Sequence, residues 1–442
     1  MTLMSRKIFR QNIALAWPLA MNAVLVQSMI LVDLLMIAPL GEVAVSALGI
    51  AAAILAFLVG SQFALANGTQ MIIARARGAD DCHGIATALV AGGVISIGFS
   101  VLASTILITL LPIVLQTIID SNEVRGSAKD YLTISIWLLL ISALTQVLIA
   151  YFNGVGRTRV PLNGFLLEIP VNIIVSLVLI YGFFGFPAYG LSGAALGSLS
   201  AIFFRCSYLL WLLMKEQHLP LVDGFKAFNF PVFKQHFGES APIAANHIVL
   251  SGGMMAYQLL FAQLSVYAYA AITLVMPWIR LGSQFTNAWT HAAVITISQY
   301  RGSGDNHLIP DYLQQTVRVT FLGAALLSGF LLAFNYWVSS IYPTMQHETL
   351  LALAIIAPVY ILRPFVQAYN TFCGHSLRAL GESLKVLKLH IVCQWLISLP
   401  LLALLIYLQA PLLLVFSITL LEECLKTWFF RAYLLQKIEK FS

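Results

Sequence analysis

Charge is what this chain has least of. Asp, Glu, Lys and Arg make up 10% of its 442 residues, against 60% hydrophobic. A soluble domain carries roughly a quarter of its residues charged, so this composition excludes an ordinary soluble fold. Cysteine is scarce as well. Cys82, Cys206, Cys373, Cys393 and Cys424 fall in apolar stretches or on loops assigned below to the cytoplasm, which implies no disulfide framework. Neither they nor the nine histidines show metal-ligand spacing, so no metal and no other cofactor is implied. A Gly-x-Ser-x-Gly elbow and a phosphate-binding glycine loop are also missing, which argues against a membrane-embedded enzyme. The net charge of +6 is the bias of membrane loops and does not point to nucleic acid.

What the chain has in quantity is long apolar runs. Twelve spans are expected, at roughly 10–37, 44–73, 84–112, 128–153, 161–184, 191–215, 235–261, 266–297, 311–341, 349–373, 384–408 and 411–435. The fold class is therefore an all-α polytopic membrane protein with twelve transmembrane helices. The first stretch lacks a small-residue cleavage site and is too long for a signal-peptide core, so it reads as retained. Arg6, Lys7, Arg10, Arg75, Arg77, Arg157, Arg159, Lys226, Lys234, Arg301, Arg378, Lys385, Lys437 and Lys440 fall on one side. The other side carries Arg125 and Lys129 beside Asp120, Glu123 and Asp130. By the positive-inside rule both termini are cytoplasmic.

Two halves show through this pattern. Pro18 and Asn22 open span 1 as Pro242 and Asn246 open span 7, at an offset of 224. Gly78 and Gly302 follow spans 2 and 8 at the same offset. Ala150-Tyr151 with Gly156 matches Ala368-Tyr369 with Gly374 at an offset of 218. The expected organisation is an N-lobe of 1–217 (spans 1–6) and a C-lobe of 218–442 (spans 7–12). The two are pseudo-symmetric about an axis along the membrane normal, and Glu216 to Pro231 joins them.

Span 1 holds the two residues that bear most on function. Pro18 removes a backbone N–H and predisposes the helix to bend. Asp33 lies between Val32 and Leu34-Leu35-Met36, and a carboxylate there is costly unless it meets water, a partner or a proton. The bland alternative is an interfacial cap at the end of the span. On span 5, Asn172 and Ser176 are four apart and share a face. Glu168 lies nearer the cytoplasmic end, where Arg157 or Arg159 is its expected partner. Glu422 and Lys426 have i,i+4 spacing for a helix-surface ion pair. Arg280 and Arg363 are intramembrane cations, expected to pair with Glu422 or Glu423 or to contact backbone carbonyls, ahead of binding an anionic ligand.

The Pro18/Asn22 opening, Gly78-Ala79-Asp80, and Asn153-Gly154-Val155-Gly156-Arg157 with Pro161 and Asn163 together resemble the multidrug and toxic compound extrusion (MATE) transporters, over the whole chain. Within that family the chain is similar to the DinF-like branch, because span 7 and span 10 lack the acids of second-lobe coupling. The resemblance implies proton-coupled export of bulky, often cationic small-molecule drugs. Asp33 would be the coupling acid with Asn172 beside it, and Pro18 the hinge. Tyr131, Gln146, Ser176, Met29 and Met36 would line the substrate cavity. Ser176 stands where some members have a second aspartate. Its lack of charge favours protons over sodium. The implied setting is the bacterial inner membrane and its lipid, as a monomer. A sodium-coupled antiporter and a flippase of lipid-linked oligosaccharides remain as alternatives. The flippase would need cations along its cavity, for which only Arg280 and Arg363 offer themselves.

Overall fold

A computed structural model describes residues 3–118, 121–216, 219–341 and 346–439. Asp120 and Lys440, and the lobe boundary at 217–218, lie outside these residues. Among the described residues the long elements are all helical. They are α1 Leu3–Ile37, α2 Glu42–Gly78, α3 Cys82–Ile118, α4 Asn122–Gly154, α5 Arg159–Tyr181 and α6 Leu191–Met214, then a short α7 Leu221–Ala227. There follow α8 Phe230–Phe261, α9 Val266–Ser303, α10 Ile309–Ile341 and α11 His347–Ala379. One rod then combines α12 Ser383–His390, a π-helical stretch Ile391–Ser398 and α13 Leu399–Tyr407, and α14 Leu412–Ile438 ends the chain. The π stretch leads into Pro400, whose missing N–H breaks the regular ladder.

Nine of the described helices are long and apolar enough to cross a membrane by length and composition. The rods α8, α9 and α14 are more polar. For α14 the cause is visible, since Glu422, Glu423 and Lys426 are all buried on it. Lys426 bridges Glu422 and Glu423, Tyr257 of α8 donates to Glu422, and Asn370 of α11 donates to Glu423 Oε2 at 2.8 Å. The i,i+4 pair expected on α14 is thus formed, but inside the protein. Burial accounts for the glutamates' preference for Lys426 over Arg280 or Arg363, because a same-helix partner reaches both carboxylates without a gap.

By packing, the chain divides into two compact units, Met21–Ala244 and Met1–Ala20 with Ala245–Ser442. Each division falls two residues past a repeat proline, Pro18 or Pro242. In Met21–Ala244, α2 packs on α3 and α4, α6 on α4 and α5, and α7 on α3. One apolar cluster gathers Met36, Ile37, Ala47, Leu111 and Leu132, and another Ile73, Leu89, Phe152 and Leu209. Along α2, α3 and α4 a polar layer includes Gln62, whose Nε2 donates to the Leu139 carbonyl at 2.9 Å and to Ser100 Oγ at 3.2 Å. The opening of α8 is fastened here, with His236 2.9 Å from Thr69 Oγ1 and Glu239 paired with Arg75.

In the other unit α9, α10, α11 and α14 pack around Ile272, Leu331, Tyr360 and Phe416. The opening of α1 is fastened there. Tyr312 Oη donates to Asn12 Oδ1 at 2.6 Å, and Phe9 lies 5.8 Å from Trp289. Asn12 and His236 stand 224 positions apart, so the duplication extends to how each repeat's first turns are held. Past Pro242, Asn246 Oδ1 lies 2.5 Å from His390 Nδ1. At the turn after α11, Glu382 pairs with Lys437 at 2.7 Å and Lys385 at 3.2 Å. The hydrogen bond from Lys437 holds the Glu382 carboxyl below its usual range.

Candidate functional site

The site is built from four helices of Met21–Ala244. From α1 comes Asp33, half-buried, whose Oδ1 is shielded from solvent and has no hydrogen-bond partner among the described residues. From α4 comes Tyr131, buried and within Coulomb range of Asp33. On α5, Glu168, Asn172 and Ser176 recur every four residues and so line one face. Asn172 Nδ2 donates to Ser198 Oγ of α6 at 3.1 Å, while its Oδ1 and the Ser176 hydroxyl have no partner among the described residues. Unsatisfied buried oxygens are rare and costly, and here one falls on α1 and two on α5.

Small residues of α6 let it approach α5 this closely. A Cβ at Gly197 would lie 2.0 Å from Ser176 Oγ and 2.8 Å from Ser176 Cα. At Gly193 it would lie 2.5 Å from the Leu179 carbonyl oxygen. Close backbone approach through small residues is how helices associate where no hydrophobic drive separates them from lipid. At the far end of α5, Tyr181 Oη donates to the Met36 carbonyl at 2.8 Å, tying α5 to α1 just beyond Asp33.

The structure brings Asp33, Tyr131, Asn172 and Ser176 into one unit. Gln146 and Met29 are half-buried in it, and Met36 is buried within the apolar cluster around Ile37 and Leu132. Pro18 sits inside α1, which runs past it as helix, and belongs to the Met1–Ala20 segment.

The partner expected for Glu168 is corrected. Glu168 Oε2 accepts from Arg205 Nη1 of α6 at 2.9 Å, and Arg157 instead pairs with Glu216. Sequence reasoning misses Arg205 although its signal is present, an arginine inside an apolar run that has to find a carboxylate. Its guanidinium lies 4.8 Å over the Phe165 ring, and its Nε and Nη2 have no hydrogen-bond partner among the described residues.

The MatE family model matches residues 18–178 and then matches again at 242–404. The chain belongs to the MatE family. The two matches begin at Pro18 and Pro242, which makes the duplication a property of the family domain. Over 375 residues the chain is 24% identical to a "Probable multidrug resistance protein NorM" of Rhizobium meliloti, covering 82% of this chain and 79% of that protein. The structure of the "Vibrio cholerae MATE transporter VcmN in the bent form" superposes with a TM-score of 0.85 at 18% identity, covering 100% of this chain and 99% of that one. An "Outward-facing conformation of a multidrug resistance MATE family transporter of the MOP superfamily" gives 0.84 at 16%, with 98% and 96% covered. At such identities the likeness speaks for the fold, twelve helices in two pseudo-symmetric six-helix halves. As a MatE member the chain is a multi-pass membrane transporter and not an enzyme.

Proposed function

We propose that this MatE protein is a proton/drug antiporter of the DinF-like branch. It exports small cationic or amphipathic compounds across the bacterial inner membrane, as a monomer with both termini in the cytoplasm. The observation that carries the proposal is the solvent-shielded Oδ1 of Asp33, which has no hydrogen-bond partner among the described residues and lies within Coulomb range of Tyr131, on a proline-containing helix. The relatives' description as multidrug resistance proteins supports drugs as the cargo.

Asp33 is the protonation site and Asn172 its polar companion. Open to the exterior, Asp33 takes a proton, its demand for water and polar partners falls, and α1 rebends at Pro18. The cavity beside Tyr131, Gln146, Ser176, Met29 and Met36 narrows and the compound leaves. Open to the cytoplasm, the proton departs and a new cation binds. The six-helix lobes 1–217 and 218–442 rock about this cycle to give alternating access. In everted vesicles a pH gradient alone is expected to drive uptake of a cationic dye. Uptake driven by a sodium gradient at uniform pH would replace the proton by sodium.

Pro18 can be tested by itself. Packing changes partners two residues past it, which is where a hinge is useful. Pro18→Ala restores a backbone hydrogen bond and is expected to slow export about 3- to 10-fold while dye binding persists. Spin labels at Ile13 and Met29 should then report one distance at every pH. A parent protein that itself shows one pH-independent distance removes the hinge.

Orientation is tested by labelling. A cysteine placed at the exposed Ser303 is expected to react with an impermeant thiol reagent only from the cytoplasm, and one at the exposed Asn122 only from outside. Reaction at Ser303 from outside inverts the assignment.

A further inference from the structure

The ion pair between Glu168 and Arg205 has no part in the mechanism above, yet it is placed to act on it. Both side chains are deeply buried, at 13% and 7% exposure. A structural brace between two helices satisfies its donors. Here Arg205 spends one nitrogen on Glu168 and leaves Nε and Nη2 without partners among the described residues. Glu168 is one turn from Asn172 and two from Ser176 along the α5 face. The hydrogen bond from Tyr181 to the Met36 carbonyl, with Val32 and Leu177 in one apolar cluster, sets α5 against the stretch of α1 that carries Asp33, within Coulomb range of Glu168. Among the described residues, the charged or titratable groups that act on this neighbourhood are Tyr131 from α4, Glu168 from α5 and Arg205 from α6.

Resting on the proton reading of Asp33, we propose that Glu168 and Arg205 are positioning residues for the proton step. The Glu168 carboxylate, held by Arg205, supplies the fixed field against which Asp33 gains and loses its proton. No bond is made or broken by the pair. Two carboxylates and one guanidinium leave one excess negative charge when Asp33 is ionised and none when it is protonated. Each proton taken up therefore neutralises the whole cluster. In a poorly screened interior that neutrality is a discrete condition for helix rearrangement.

The test is a pH titration of the purified full-length protein by infrared difference spectroscopy, following the protonated-carboxyl band that disappears in Asp33→Asn. In Glu168→Gln the midpoint of that band is expected to move to lower pH by about 0.5–1 unit, the scale for losing one nearby negative charge. In the double variant Glu168→Gln/Arg205→Gln, which leaves no lone buried charge, it should move the same way by less. If Glu168→Gln does not insert, the double variant decides alone. The parent's midpoint in every variant that folds overturns this inference and leaves the proton reading standing. A parent without any Asp33-dependent band overturns the proton reading, and the inference with it.

Discussion

Asp33→Asn is expected to abolish drug export, reducing it to the level of vesicles without the transporter, while the protein still inserts and keeps its helical content. Asparagine copies the shape of the protonated acid and cannot release the proton, so the carrier is locked in one half of its cycle. The substitution is gentle for folding, since Asp33 Oδ1 has no hydrogen-bond partner among the described residues to lose with the charge. Asn172→Ala is the internal control. It removes one buried hydrogen bond, to Ser198, and should slow export by roughly 2- to 10-fold, the scale of about 0.5–1.5 kcal/mol. The measurement is dye transport in everted vesicles under an imposed pH gradient, beside size-exclusion profiles of each variant. Normal export by Asp33→Asn transfers the search for the coupling group to the second half.

Lys426→Met is expected to cost more in stability than any substitution at the candidate site. Lys426 holds both Glu422 and Glu423, and all three side chains are under 10% exposed. Removing the shared cation strands two carboxylates among α8, α11 and α14. Breaking a buried pair this way costs about 3–5 kcal/mol, mostly the penalty of an uncompensated charge. The melting midpoint in detergent should fall sharply and the yield with it. Removing all three charges together, in Glu422→Gln/Glu423→Gln/Lys426→Met, should recover most of the loss. A single variant as stable as the parent would mean that Arg363 can take over both glutamates.

Several of these residues are legible from the order of amino acids alone. Asp33 and Pro18 stand out because an acid and a proline are each expensive in a membrane helix, whatever surrounds them. The rods follow from apolar length, and the repeat shows because duplicated prolines and glycines keep their spacing. Other features are visible as residues but not as pairs. Nearness in sequence points Glu168 to the loop arginines. Its partner is 37 positions away on α6, at a level set by how α5 and α6 pack through Gly193 and Gly197. The charges of α14 read as a surface pair because i,i+4 spacing reports that two residues meet and not which way they face.

By itself the sequence determined that this chain crosses a membrane many times, in two copies of one helical pattern, with one acid of the first helix out of place. Those are properties of single segments, where burying an unpaired charge or an unbonded amide costs the same in any fold. Only the tertiary structure decided which buried groups meet. It brought Arg205 to Glu168, Lys426 to two glutamates, and Asp33 into the neighbourhood of Tyr131 and Glu168. It also decided where the opening of each repeat is held, Asn12 against Tyr312 and His236 against Thr69. Contacts of this kind depend on helix rotation and depth, and sequence periodicity leaves both free until small residues and buried polar groups lock neighbouring helices together.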